Sequence, residues 1–269
     1  MNERLNSLLI KLKKDNRPAF ISYITAGDPD YLNSLLIVDE LIKSGTDILE
    51  LGIPFSDPLA DGEANQLSAQ RALNSGTTPT DVLKLVSDIR KKHKSIPIIL
   101  YTYLNPVAYA FEFDDFCRMS KEAGVDSLLL LDLTPEEGVS YKKIIEEADL
   151  SLVALTAPNT HDKRLDLIAD FASAFIYYVC REGVTGARSD FAVDVDQKII
   201  NIRKHTDLPV VMGFGISTPE HIKMAVNSGV DGIVVGSAIV RKVEAFAEQK
   251  GSISDIGDFV KSLTEVLLQ

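Results

Sequence analysis

Short apolar runs alternate with amphipathic segments along the whole chain, and this alternation restricts the fold more than any other feature. Eight runs with strand character are centred near residues 20, 48, 98, 129, 152, 176, 210 and 234, and a segment with helical spacing follows each. Strict alternation of this kind predicts a parallel sheet with helical crossovers. Eight units fit a closed (β/α)8 TIM barrel. A doubly wound open sheet is the alternative, although no Gly-x-Gly-x-x-Gly follows the first strand.

The length of the chain agrees with a single barrel domain. Its 269 residues are close to the roughly 250 typical of such barrels, and no linker-like or low-complexity segment divides them. We therefore expect one domain over residues 1–269. Four leucines near the N-terminus follow helical spacing and predict an extra helix over Asn2–Lys14, ahead of the barrel.

Two predicted loops are longer than the others and are candidates for lids or contact surfaces. They are Pro54–Asn65 after the second strand and Arg181–Val193 after the sixth. In a barrel, such loops lie at the C-terminal face, where active sites form. The pattern also predicts helices over Pro135–Ala148 and Asp194–His205.

Charge and composition exclude several classes of partner and of site. A net charge of −11 argues against nucleic acid or an anionic membrane as the main partner. No apolar run approaches the roughly 20 residues that a membrane helix needs. Cys117 and Cys180 lack the spacing of a metal site, and we expect two reduced thiols, with a single disulfide between them as the alternative. The N-terminal residues have no signal-peptide pattern, so a cytoplasmic location is expected.

A glutamate interrupts the second predicted strand. Glu50 lies within the apolar run Ile48–Leu51, and a second carboxylate, Asp61, follows eleven positions later in the adjoining loop. A buried carboxylate costs several kcal/mol unless it is paired or shifts its pKa. A structural salt bridge is one explanation for Glu50. The other is a functional site, because two carboxylates in different environments can divide the acid and base roles.

Glycine clusters follow three late strands and indicate a phosphate site. They are Gly183–Gly186, Gly213–Gly215 and Gly236–Ser237. Glycine lets backbone N–H groups approach an anion, and the start of the next helix adds a favourable dipole. Barrels frequently bind phosphate with the loops after strands seven and eight.

Other polar residues give weaker signals. Asp28, Asn105 and Asp132 fall near strand ends, where they can contact a substrate or cap a turn, and the turn-forming Gly27–Pro29 favours a cap for Asp28. The histidines lie away from strand ends, which argues against His-based catalysis or a zinc site; they are His93, His161, His205 and His221.

The stretch Leu49–Gly62 closely resembles the signature of the tryptophan synthase alpha chain family. The resemblance extends nearly end to end through Ile24–Pro29, Tyr103–Pro106, Gly183–Gly186, Gly213–Ile216 and Val235–Ala238. The family is a (β/α)8 barrel lyase of tryptophan biosynthesis that cleaves indole-3-glycerol phosphate to indole and glyceraldehyde 3-phosphate. By this resemblance, Glu50 is the general acid–base group and Asp61 is the carboxylate at the indole N–H.

The resemblance also implies roles for further residues. Phosphate would be bound by Gly186, Gly215, Gly236 and Ser237. The indole ring would be surrounded by Tyr23, Tyr101, Leu129, Tyr177 and Phe214, although ordinary barrel core explains Tyr101 and Leu129 equally well. Thr185 resembles a lid threonine that contacts Asp61 when the site closes. Departures from the family pattern are Tyr23 for phenylalanine, Glu63 and Thr134 for proline, and Cys180 for serine.

The family's alpha chain assembles with a beta chain in an α2β2 complex, and indole passes between them. The loop Pro54–Pro58, with Asp57 and Pro58, resembles the segment that meets the partner. Pyridoxal phosphate is expected in the beta chain, and no cofactor or metal is expected in this one. A non-catalytic activating subunit and a different barrel enzyme acting on a phosphorylated sugar are the alternatives.

Overall fold

Parallel strands form the centre of the molecule. The computed structural model describes residues 3–180, 188–213 and 215–268. In these ranges the strand segments are β1 Ala19–Thr25, β2 Ile48–Gly52, β3 Ile98–Thr102, β4 Ser127–Leu130, β5 Ser151–Leu152, β6 Ala154–Thr156, β7 Ile176–Val179, β8 Val210–Gly213 and β9 Gly232–Val235.

The sheet has the order β5-β4-β3-β2-β1-β9-β8-β7-β6, and every pairing is parallel. The two end segments, β5 and β6, are separated in sequence only by Val153. Val153 N donates to Leu128 O at 2.9 Å on one side, and Ala154 N donates to Phe175 O at 3.3 Å on the other. One extended stretch therefore joins both edges, and the predicted (β/α)8 TIM barrel is confirmed.

Helices surround the sheet, and none within the described ranges is long and apolar enough to cross a membrane. They are α1 Glu3–Lys14, α2 Tyr31–Lys43, α3 Glu63–Asn74, α4 Pro79–Lys92, α5 Leu104–Ala110, α6 Phe113–Ala123, α7 Val139–Glu147, α8 Asp162–Phe171, α9 Arg188–Ile202, α10 Pro219–Asn227, α11 Ser237–Ala247 and α12 Ile253–Thr264, followed by a 3₁₀ turn over Glu265–Leu268.

Several predicted boundaries were wrong. Helix α7 begins at Val139 rather than at Pro135, because the preceding residues form a turn in which Gly138 N donates to Thr134 O at 2.8 Å. Helix α9 covers Arg188–Ile202, so the described part of the predicted loop Arg181–Val193 is helical. Helix α5 was not predicted; its Pro106 lies in the first turn, where a helix tolerates proline.

Alternation along each strand separates an inner and an outer core. The inner side chains fill the barrel, whereas the outer ones pack against the helices. The predicted N-terminal helix is present as α1, and its leucines Leu5, Leu9 and Leu12 join the inner cluster. Asp126, which is fully buried, pairs with Arg4 of α1 and with Arg90. Helix α1 therefore covers the barrel interior and is fixed there by an ion pair.

Candidate active site

Glu50 projects into the barrel interior from the middle of β2. Its side chain belongs to the inward set of the strand, and the residue is only 1% exposed. No basic group in the described ranges pairs with it, and Oε1 has no hydrogen-bond partner there. Burial and the charge of Asp61 raise the pKa of Glu50 from 4.5 to about 8. The salt-bridge explanation therefore fails, and the group is a neutral carboxylic acid at pH 7.

Asp61 is held at the mouth of the barrel by residues of the neighbouring strand β3 and the turn after it. Tyr101 Oη donates to Oδ1 at 2.8 Å, and Tyr103 Oη donates to Oδ2 at 2.9 Å. Asn65 Nδ2 makes a longer contact of 3.4 Å to Oδ1. Burial raises the pKa of both tyrosines, and the charge of Asp61 raises them further, so both hydroxyls stay protonated as donors.

Three tyrosine rings surround the buried carboxyl group of Glu50. The rings of Tyr23 and Tyr101 meet edge to face, with centroids 4.9 Å apart. Tyr23 and Tyr177 are each supported by a glycine, since a Cβ at Gly52 would lie 2.5 Å from Tyr23 Oη. A Cβ at Gly213 would lie 2.2 Å from Tyr177 Oη. These close approaches explain why glycine ends both β2 and β8.

The N-terminus of α11 opens into the same interior. Gly236 precedes the helix and Ser237 begins it. The first amides of a helix have no partner within it, and the helix dipole favours negative charge there. Gly215, in a left-handed conformation at φ +72°, lies across from them. These residues offer backbone N–H groups and one hydroxyl to an anion.

One cavity is lined by residues from each of these groups, although Asp61 itself is not among its lining residues. The cavity is open to solvent on one side. Its lining residues are Tyr23, Glu50, Gly62, Asn65, Tyr101, Tyr177, Gly215, Ile216, Val234, Gly236 and Ser237. The catalytic carboxyl expected from the sequence therefore lines one cavity with three of the four expected phosphate residues.

One expected residue of the indole pocket lies outside the cavity, and three other expected residues are not described. Leu129 is fully buried in the inner cluster and does not line the cavity, in agreement with the barrel-core alternative. Gly186, Thr185 and Phe214 fall outside the described residues.

The expected cap at Asp28 was wrong. Its carboxylate is buried and accepts from Arg71 Nε and Nη2, both at 2.8 Å, as well as from Ser68 Oγ at 2.5 Å. The cap of α2 is Asp30 instead. Asp28 thus fixes α3, the helix that begins just after Asp61. Of the other strand-end residues, Asp132 accepts from Leu104 N at 2.8 Å and supports the start of α5.

The predicted partner segment Pro54–Pro58 is buried at Pro54 and becomes exposed at Ser56 and Asp57. Asp57 is solvent-exposed, Pro58 is half-buried, and the adjacent Leu59 is 94% exposed.

Of the departures from the family pattern, Glu63 begins α3, where an acidic residue is favoured by the helix dipole. Cys180 donates from Sγ to Gly213 O at 3.1 Å and forms no disulfide with Cys117.

Sequence reasoning missed Tyr103 and Asn65, which both contact Asp61. Tyr103 lies within a motif already associated with the family, but a tyrosine after a strand gives no sign of its partner. Asn65 lies in the first turn of α3, where the pattern had predicted a loop. Among the described residues, no group of three or more His, Cys, Asp or Glu side chains is arranged to hold a metal ion.

Comparison with known proteins assigns the chain to a family. The family model described as "Tryptophan synthase alpha chain" matches residues 9–266. A tryptophan synthase alpha chain from Opitutus terrae is 48% identical over 237 residues, which is 88% of each chain. The crystal structure of tryptophan synthase subunit alpha from Legionella pneumophila superposes with a TM-score of 0.90 at 34% identity, covering 99% of this chain and 98% of that one. A chain of the tryptophan synthase complex from Pyrococcus furiosus superposes with a TM-score of 0.83 at 33% identity, covering 93% and 98%. The chain belongs to the tryptophan synthase alpha chain family.

Proposed function

We propose that this chain carries out the lyase reaction of its family, the retro-aldol cleavage of indole-3-glycerol phosphate, with Glu50 and Asp61 as its catalytic residues. The observation that supports the roles best is the buried carboxyl group of Glu50. It has no hydrogen-bond partner on Oε1 within the described ranges, and it lines one cavity with the N-terminus of α11.

Glu50 acts first as the acid. Its raised pKa keeps it protonated at pH 7, so it donates its proton to C3 of the indole ring and converts the ring into an iminium electron sink. The resulting carboxylate then removes the proton from the hydroxyl group on the glycerol carbon bonded to C3. The bond between these carbons breaks, its electron pair returns to the ring, and indole and glyceraldehyde 3-phosphate result.

Asp61 stabilises the positive charge that develops on the indole nitrogen. Two tyrosine hydroxyls hold its carboxylate next to the cavity, and the ring N–H is the donor it would accept from. Charge stabilisation by a fixed group in a site with little water is worth more than in solution. The phosphate would lie at Gly215, Gly236 and Ser237, with Gly186 as a further proposed contact.

The electron sink in this mechanism is the protonated indole ring, so the cleavage needs no cofactor in this chain. We propose that pyridoxal phosphate belongs to a beta chain that receives the indole, and that the two chains form a cytoplasmic α2β2 complex. The exposed loop with Asp57, Pro58 and Leu59 is the proposed contact with that partner. Its position at the mouth of the barrel supports transfer of indole from the cavity to the partner.

The test is indole release from indole-3-glycerol phosphate by the isolated chain and by its mixture with the beta chain. The Glu50→Gln variant should lose at least about a hundredfold in kcat. Glu122→Gln, which changes an exposed carboxylate on α6, is the matched control and should keep wild-type turnover.

The alternative of a non-catalytic activating subunit predicts a different result. Zero indole release by the wild-type chain, both alone and with the beta chain, would favour it and contradict the proposed reaction. Near-normal turnover by Glu50→Gln would instead contradict only the role of Glu50.

A further inference from the structure

Two tyrosines bind Asp61, but they contact different parts of the molecule. Tyr103 donates to Oδ2 of Asp61 and also accepts from Ala60 N at 2.9 Å, so it fastens the loop backbone as well as the carboxylate. Tyr101 binds Oδ1 alone and lines the cavity, which Tyr103 does not. The two hydroxyls therefore have separable roles.

Counting donors shows what Asp61 has left for a substrate. An ionised carboxylate offers about four acceptor positions. Tyr101, Tyr103 and Asn65 occupy three of them in the described structure. Among the described residues this leaves one acceptor position, on a carboxylate whose two oxygens are both held by hydrogen bonds.

The ring of Tyr101 is itself fixed. It meets the ring of Tyr23 edge to face, and Tyr23 Cδ1 lies 3.4 Å from the place where a Cβ of Gly236 would be. The rings of Tyr101 and Tyr23 thus lie between Asp61 and the start of α11, with Tyr23 next to Gly236. Such support sets the distance between the carboxylate and the proposed phosphate site before a substrate enters.

We propose that Tyr101 is a positioning residue for the cleavage reaction, whose hydroxyl holds Oδ1 of Asp61 so that the remaining acceptor position meets the indole N–H. The proposal rests on the proposed function of this cavity. Tyr101 thereby acts through Asp61 and gives the cavity a preference for ligands with a free ring N–H.

The first test is Tyr101→Phe, which keeps the ring and removes the hydroxyl. Loss of a hydrogen bond to a charged group predicts a fall in kcat of about 10- to 100-fold. KM should change less than about threefold, since the phosphate end is untouched. Tyr31→Phe is the control, because it removes a similar bond of 2.7 Å to Asp88 outside the cavity. It should behave as wild type.

The second test separates positioning from a structural role. Calorimetry would compare a non-cleavable indole-3-alkyl phosphate with its N-methyl counterpart. Wild type should prefer the free N–H, and Tyr101→Phe should lose most of that preference while binding glycerol phosphate unchanged. Circular dichroism checks the fold, and Tyr101→Leu provides a second variant without the hydroxyl.

The outcomes distinguish the two proposals. If wild type releases indole and Tyr101→Phe keeps both its kcat within twofold and its N–H preference, the role of Tyr101 is refuted. If wild type itself releases no indole, the proposed function fails instead. A loss of N–H preference confined to the variants at position 101 would support the positioning role.

Discussion

Glu50 should make the stability of the wild-type protein fall as pH rises, whereas a carboxylate in an ion pair makes stability rise. Replacing Glu50 by glutamine should remove this dependence. The pKa of Glu50 is about 8 in the folded protein, against 4.5 for the unperturbed group. Between these values the folded protein holds one proton more than the unfolded chain. The free energy of unfolding therefore falls as pH rises through this window, and the stability contributed by the neutral acid is lost above pH 8.

The magnitude follows from the two pKa values. Each pKa unit corresponds to about 1.4 kcal/mol, so the whole interval from 4.5 to about 8 corresponds to about 5 kcal/mol. Between pH 5.5 and 8.5, wild type should lose about 3 kcal/mol relative to Glu50→Gln, which has no proton to release. A group needed as an acid thus costs stability at high pH.

Urea unfolding followed by circular dichroism at pH 5.5, 7.0 and 8.5 would measure this difference. A difference in the free energy of unfolding at a single pH would also include the effect of the new contacts that the glutamine amide makes. The change of that difference with pH reports only the titration of Glu50. Glu122→Gln, at an exposed position, should keep the wild-type dependence. Parallel curves for wild type and Glu50→Gln would show that Glu50 is not held as a neutral acid.

Three further outcomes are expected. The kcat/KM of the cleavage, measured against pH, should decline above about pH 8, as the acid form of Glu50 is lost; a flat profile to pH 9.5 would contradict this. Gly236→Val should weaken binding of glycerol phosphate at least about tenfold by calorimetry, because its methyl groups intrude on the anion. Gly236→Ala should bind glycerol phosphate with nearly unchanged affinity, since its Cβ would lie at ordinary contact distance from Tyr23. Asp28→Asn should destabilise the protein by about 3 kcal/mol in urea titrations, because it removes the charge buried against Arg71; unchanged midpoints would refute that pairing as a stabilising contact.

The sequence alone determined the architecture and indicated one half of the candidate site. The alternation of strand and helix periods, repeated eight times, predicts a parallel barrel. The sequence reveals this alternation because each period is a local property of the chain. Glu50 was recognisable because a carboxylate inside an apolar strand contradicts its surroundings. Gly236 and Ser237 were recognisable because they stand where a strand passes into a helix.

Contacts between distant segments were decided only by the tertiary structure. Barrel closure depends on how β5 and β6 divide at Val153, and no local pattern reveals that division. The partner of Asp28 proved to be Arg71, 43 positions away, although its neighbours suggested a turn cap. The register between β2 and β3 places Tyr101 beside Gly52, and the loop after β2 then returns Asp61 to the Tyr101 hydroxyl. Local periodicity determines on which face of a strand or helix a side chain lies. The register and closure of the sheet determine which residues that side chain contacts.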